Sequence, residues 1–296
     1  MATALVPFPV VPSHDDKNGP DGCPMFKMLP EQLQMQSQEK SHLWEYLHSF
    51  PMDKSGVPEY FETLGRKHVG LKAPNLIYPV GGGLFIHIYS DPEDSRDYYI
   101  AVEPGMYEDL TSLASEVDRR LVRLVHELES DATSEDRVKA LSDSLDKICK
   151  VSDSPRAKEK SGSNGRSRWW VIGSSRQRKK VDHKGPLVLT SAKFRALRYV
   201  LLRDKEGMGP LEPMIQDPYI EDISCSGLGP LFIEHKIFKS LKASVNFATH
   251  HELDSFVLRL SEKIGKPVTL RSPIVDATLP DGSRINIVYG WDVSKR

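Results

Sequence analysis

The chain has 296 residues, 39% hydrophobic and 27% charged, with 40 Lys and Arg against 41 Asp and Glu. This balance excludes collagen-like, disulfide-scaffold and wholly disordered classes, and the length leads us to expect two domains. Cys23, Cys149 and Cys225 lie far apart with no CxxC pair, so neither a disulfide framework nor a zinc ribbon is expected, and the compartment reads as reducing. No apolar run approaches the roughly 20 residues of a membrane span. The start of the chain has no basic segment and carries Pro7, Pro9 and Pro12 in its only apolar stretch, which makes a poor signal peptide. A cytoplasmic location is the expectation.

The near-zero total hides a strong polarity. Residues 1–154 carry a net charge of −11, residues 155–184 carry +8 and residues 185–296 carry +2. The middle stretch is rich in Ser and Gly and opens at Pro155, the composition of a linker between an acidic and a near-neutral domain. It could be a solvated hinge, dock on the acidic domain, or bind anionic lipid or nucleic acid. Nucleic acid is the least expected partner, because no nucleic-acid-binding signature accompanies it. The adjacent indoles of Trp169 and Trp170 argue for docking, or for a short edge strand over 168–172.

In chain order, residues 1–30, with six prolines, read as a disordered arm. Helical patterning runs from Leu33 to about Phe50 with Leu43, Tyr46, Leu47 and Phe50 on one stripe, ended by Pro51. Residues 75–80, 84–89 and 98–102 are β-rich, and Gly81–Gly83 and the Asp91–Asp94 cluster punctuate them as an antiparallel meander. Two amphipathic helices follow, one from Leu110 to Leu128 and one from Val138 to Ile148 with Ser134 as N-cap, forming an αα-hairpin. A second domain opens after Pro186. It starts with a helix over 191–204 stopped by Gly207 and Gly209, then a helical turn over 210–216 and strands at 220–224 and 231–235. Thr249 and Glu252 form a capping box for a helix burying Leu253, Phe256, Val257, Leu260 and Ile264 and closed by Gly265. An extended 268–271, a turn over 279–282 and a strand over 284–289 complete it. The expected fold is α+β in two domains: a variable acidic one over 31–152 (a small sheet with the αα-hairpin) and a mixed α/β one over 187–296, joined by the basic linker 153–186.

Most candidate chemistry fails on spacing. Gly265-Lys266 is no Walker A loop, since Leu260 stands where its first glycine belongs and Pro267 where Ser or Thr belongs. Gly81–Gly83 precedes no helix and reads as a hairpin turn. His250 and His251 are adjacent and face different sides of a helix start, and no HExxH, carboxylate cluster or nucleophile triad appears, so no catalytic and no metal-binding residue is expected. The informative stretch is 271–289. Its turn delivers Arg284 to the first position of a strand at the domain rim, with Arg271 nearby. Arg284 reads either as an anion or phosphate ligand or as a surface arginine paired with Asp276 or Asp281.

Two segments carry a family resemblance. Gly209-Pro210-Leu211-Glu212-Pro213-Met214-Ile215-Gln216-Asp217-Pro218-Tyr219-Ile220-Glu221-Asp222-Ile223 resembles the entry to the N-terminal domain of type II/IV secretion-system ATPases, above all the archaeal branch that drives archaellum and type IV pilus-like filaments. Val275-Asp276-Ala277-Thr278-Leu279-Pro280-Asp281-Gly282-Ser283-Arg284 is similar to that branch's DA-LPDGSR signature, with Thr278 where the family often has Arg. The resemblance covers 187–296 well and 31–152 loosely. It implies a hexameric ring in the cytoplasm, peripheral to the inner face of the membrane and partnered by a polytopic platform protein, in which a following P-loop domain holds ATP and Mg2+. It further implies that N-domain arginines reach the nucleotide phosphates: Arg284 first, Arg271 second. The sequence stops at Arg296, ahead of where the family places Walker A, so residues 1–296 are not expected to hydrolyse ATP alone. The alternative is a stand-alone adaptor that reaches a membrane platform or nucleic acid through its basic linker.

Overall fold

The computed structural model describes residues 3–4, 6–8, 22–122, 133–152, 185–279 and 282–290. They fall into two compact units: Met1–Thr111 with Tyr199–Arg296, and Ser112–Arg198. The first unit opens with strand β1 (Thr3–Ala4) and four short helices, α1 (Pro24–Met28), α2 (Glu31–Glu39), α3 (Ser41–Ser49) and α4 (Met52–Ser55). The single helix expected over 33–50 is therefore two, broken at Lys40, whose backbone is extended at φ −115 and ψ 96. The polar α2 buries only Leu33 and Ser37, whereas α3 buries Leu43, Trp44, Tyr46 and Leu47, so the break frees α3 to follow its own apolar stripe.

Strands β2 (Glu59–Tyr60), β3 (Asn75–Val80), β4 (Leu84–Tyr89) and β5 (Tyr98–Val102) follow, with β3–β4–β5 the expected antiparallel meander. Gly82 and Gly83 take φ of +70 and +75 in the β3–β4 turn, a region where a side chain would be strained. Every residue of β4 and β5 is buried. Ile77, Phe85, Ile100 and Val102 pack on one face among residues of α1–α4, while Tyr78, Ile86, Tyr99 and Ala101 face a second core on the other side. Burial on both faces accounts for the near-continuous apolar runs.

The intervening unit carries the body of α5 (Thr111–Leu121), α6 (Ser134–Ile148), β6 (Cys149–Val151), β7 (Leu187–Leu189) and the start of α7 (Ser191–Lys205). Strands β6 and β7 pair in parallel over three residues. The cap of α6 is Thr133 rather than Ser134: its hydroxyl accepts from Asp136 N while the Asp136 carboxylate accepts from Thr133 N, a reciprocal pair Ser134 is one residue too late to form. The connection of the αα-hairpin, the basic stretch 153–184 with Trp169 and Trp170, and most of the proline-rich arm lie outside the described residues.

From Tyr199, within α7, the chain is back in the first unit and continues with α8 (Glu212–Ile215), β8 (Ile220–Ser224), β9 (Gly229–His235), β10 (Lys239–Phe247), α9 (His250–Lys263) and the hairpin β11 (Ile274–Thr278) and β12 (Arg284–Val288). No element is expected over 239–247 from sequence, yet β10 there is the longest described strand and the joint of the architecture. It pairs antiparallel with β9 and β1 and parallel with β5, giving the order β2-β3-β4-β5-β10-β9-β8. The fold is thus mixed α+β around one large mixed sheet. The separate small sheet expected over 31–152 is corrected: residues 59–102 and 220–247 share a single ladder system. Among the described residues, no helix is long and apolar enough to cross a membrane.

Candidate functional site

Strand alternation sets the hairpin β11–β12. Val275, Ala277 and Ile287 are buried in the second core, while Asp276, Thr278, Arg284 and Asn286 share the exposed face. Five residue pairs lock the register, with Arg284 opposite Thr278 and Asn286 opposite Asp276. Leu279 N donates to Ser283 O at 2.7 Å and Gly282 takes φ +89, which closes the connection and starts β12 at Arg284. The backbone of Arg284 is therefore fixed while its side chain is 81% exposed.

The guanidinium of Arg284 meets the Asp276 carboxylate diagonally across the ladder at 3.4 Å. The alternative partner, Asp281, lies outside the described residues. Both members of the observed pair are well exposed, so the attraction is screened and worth well under about 1 kcal/mol. Lys266 adds a fixed cation at the foot of the hairpin, its Nζ donating to Asp276 O at 2.7 Å.

Arg271 is not brought to Arg284. The extended run expected over 268–271 is instead a tight turn, in which Thr269 and Ser272 exchange backbone hydrogen bonds and Leu270 and Arg271 form the exposed tip. That turn precedes Ile274, the partner of Val288, whereas Arg284 sits at the other end of the ladder. At about 3.4 Å per residue, the ladder from Ile274 to Thr278 that separates the two ends spans about 14 Å. Among the described residues no three His, Cys, Asp or Glu side chains are grouped to hold a metal ion.

The segment 209–223 contributes to the same core. Gly209 takes φ +59, and the Glu212 carboxylate accepts from Met208 N at 2.7 Å and from Gln216 Nε2 at 2.8 Å. Asp217 is buried, and its carboxylate gathers the hydroxyls of Tyr78 (2.6 Å) and Tyr99 (3.0 Å) together with Tyr219 N (2.8 Å). His235 extends this network. Its Nδ1 accepts from Ile237 N and Phe238 N, so Nε2 carries the proton and donates to the Tyr78 oxygen at 3.2 Å. Burial raises the Asp217 carboxyl above its ordinary range despite three donors, and lowers His235 to about 4. Motif residue Asp217 thus serves as a buried tie between β3, β5 and the loop before β8. Its sequence context, Gln216-Asp217-Pro218, marks a turn and gives no sign of the two tyrosines more than a hundred positions earlier.

No family model matches the chain. It is similar to Uncharacterized protein MJ0900 of the archaeon Methanocaldococcus jannaschii, 32% identical over 270 residues, covering 91% of this chain and 46% of that protein. Uncharacterized protein MJ1288 of the same organism is 41% identical over 109 residues, 36% of this chain and 43% of that protein. Uncharacterized protein MJ0781, also of that organism, is 29% identical over 80 residues, 27% of this chain and 11% of that protein. At 46% and 43%, the chain spans about half the length of the first two of these curated relatives.

Proposed function

We propose that this chain is the N-terminal, nucleotide-gating region of a secretion or filament-assembly ATPase, coupling ATP turnover in a P-loop domain to movement of a membrane platform protein. The observation that carries the reading is Arg284. It stands on the segment resembling the DA-LPDGSR signature, on a paired strand, with its side chain 81% exposed and a weak ion pair to Asp276 to exchange. A rigid backbone presents a phosphate ligand without ordering cost at each cycle, and the planar guanidinium fork matches phosphate oxygens. Arg271 is the lesser candidate, and its distance along the hairpin means that it would meet a different group. In this reading the complete protein is a hexameric ring at the cytoplasmic face of the membrane, with ATP and Mg2+ held by the P-loop domain. Residues 187–296 act as the gating domain and 31–152 as the variable acidic one, the shared sheet making β2–β5 part of the body that moves. The greater length of the relatives leaves room for a P-loop domain.

The test supplies that domain to residues 1–296 by fusion or in trans and measures Mg2+-dependent turnover. Arg284→Ala is expected to melt where the parent does but to lose about 10³-fold in turnover. Arg284→Lys is expected to recover only part of it, because the ammonium lacks the planar fork. The alternative, an adaptor acting through the basic stretch with no nucleotide role, expects turnover untouched by either substitution. Early melting with normal turnover would make Arg284 structural, held by Asp276.

A further inference from the structure

The connection between β2 and β3 puts apolar side chains outside. Residues 65–73, Gly-Arg-Lys-His-Val-Gly-Leu-Lys-Ala, carry three cations and no carboxylate. Only His68 among them is buried; Val69 is 57% exposed, Leu71 is 45% exposed, and Arg66, Lys67 and Lys72 stand in solvent with them. Single surface aliphatics need no explanation, but two within three positions, framed in sequence by cations on both sides, make an apolar tip. Arg66 and Lys72 have no ion-pair partner among the described residues, and Lys67 Nζ lies over the Phe61 ring at 5.0 Å.

The backbone holds this tip in place. Gly65 O accepts from His68 N at 3.0 Å and Arg66 O from Val69 N at 3.2 Å, which closes a single helical turn, and Gly70 takes φ +78 between the two aliphatics. The His68 ring is the anchor: Nδ1 accepts from Gly65 N at 2.9 Å, and the ring packs edge-on against Phe61 with centroids 4.5 Å apart. At the root, Leu64 N donates to the Tyr219 hydroxyl at 2.8 Å. Such a turn presents Val69 and Leu71 with little left to order on contact. Carboxylates lie at its feet: Glu59 and Glu62 precede Leu64, and Ser90 N bonds Pro74 O at 2.8 Å, which brings up the turn that starts at Asp91. Exposed charges act over roughly 8–10 Å, so a surface touching the tip meets Arg66, Lys67 and Lys72, which flank the aliphatics within three positions, more strongly than these.

We propose that residues 65–73 dock on an anionic lipid bilayer, with Val69 and Leu71 inserted below the headgroups and Arg66, Lys67 and Lys72 held at the phosphates. A bilayer offers that order, phosphate oxygens over hydrocarbon, at every point of its surface and yields to an exposed turn, whereas a protein partner would need a groove cut to it. Long basic side chains keep their heads at the phosphate level while their stems follow the aliphatics down. Two half-exposed aliphatics bury little area, so the contact is reversible and orients the chain on a membrane rather than anchoring it. The proposal does not rest on Arg284 or on a nucleotide role.

A chain carrying Cys225→Ser and Val69→Cys has one accessible thiol, because Cys23 and Cys149 are buried. Labelled there with an environment-sensitive nitrobenzoxadiazole dye, it is mixed with vesicles of equal parts phosphatidylglycerol and phosphatidylcholine, with phosphatidylcholine vesicles, and with polyglutamate. Brighter, blue-shifted emission with the anionic vesicles alone is expected. In cosedimentation with the same vesicles at low salt, Val69→Ser with Leu71→Ser keeps every charge and should lose at least about tenfold in affinity. Arg66→Gln with Lys72→Gln keeps the aliphatics and should lose about thirtyfold. All four positions are exposed, so both variants should melt where the parent does, and the basic stretch 155–184 is present in each, so its contribution cancels. No shift with the anionic vesicles, an equal shift with the neutral ones, or a serine variant that binds as the parent does would each overturn the proposal. A shift with polyglutamate equal to that with anionic vesicles would assign the loop to an acidic protein and overturn it as well.

Discussion

His87 and His235 are buried neutral, and each fixes a hydrogen-bonded chain. Asn75 Nδ2 donates to Ser55 O, so its oxygen accepts from His87 Nε2–H at 2.8 Å, and His87 Nδ1 accepts from the Tyr46 hydroxyl at 2.5 Å. Burial lowers His87 from 6.5 to about 3 and His235 to about 4. The sign of the pH dependence follows: below about 6.5 the unfolded chain takes up protons that the folded one refuses, so this stability is complete above that pH and drains away as pH falls toward 4. Between pH 6.5 and 5, where most carboxylates remain ionised and both folded rings stay neutral, urea unfolding should lose about 1.5 kcal/mol through each of His87 and His235. A flat profile would mean that the rings are charged in the fold. Tyr78→Phe probes the second chain. It removes the acceptor of His235 Nε2–H and one donor to Asp217 together, and should cost about 2 kcal/mol. A loss under about 0.5 kcal/mol would show that the network contributes nothing.

At the scale of elements, what was legible was local. The glycine turn Gly81–Gly83, the antiparallel meander and both ends of α9 depend on neighbours a few positions away. Thr249 Oγ1 accepts from Glu252 N, the first half of the expected box, whereas the Glu252 carboxylate accepts from Ala248 N; past the other end Gly265 N and Lys266 N bond back to Glu262 O and Ser261 O, closing the helix as its glycine suggests. Strand β10 carried its alternation openly in Leu241, Ala243, Val245 and Phe247, yet its intervening Lys and Ser residues suit an exposed segment. In the fold those polar positions have partners supplied from far away: Lys242 bonds Asp94 and the Tyr98 hydroxyl, and Ser244 receives Ala101 N. The ion pair of Glu103 with Arg203, at 2.8 Å, was hidden for the same reason, since nothing near either residue announces the other. Arg284 was legible because a turn and a strand start lie beside it, whereas the displacement of Arg271 follows from backbone bonds between Thr269 and Ser272. The contrast can be measured within β10. Ser244→Ala strands a buried amide and should cost about 1–3 kcal/mol, whereas Ser240→Ala, at an exposed position, should stay within about 0.5 kcal/mol. Equal losses would contradict the register.

For the molecule as a whole, charge separation is the dominant long-range feature, with −11 over residues 1–154 beside +8 over 155–184. Cosedimentation with anionic vesicles should therefore be strong at low salt and largely gone near 1 M, where the screening length is about 3 Å. Equal binding to neutral vesicles would remove the electrostatic claim. Residues 1–296 contain no Walker A spacing, so the purified chain should show no Mg2+-dependent ATP turnover above buffer; turnover that travels with the protein through gel filtration would contradict the nucleotide-gating reading in its present form.

The ladder between β5 and β10 also sets a timetable for biosynthesis. When Val102 leaves the ribosome, the strand that will cover its open edge is still roughly 140 residues from being made. At roughly 5–20 residues per second, β5 waits on the order of ten to thirty seconds with an apolar edge unpaired. Nascent chains stalled before Lys239 should be protease-sensitive and bind chaperones, whereas chains stalled well past Phe247 should resist both.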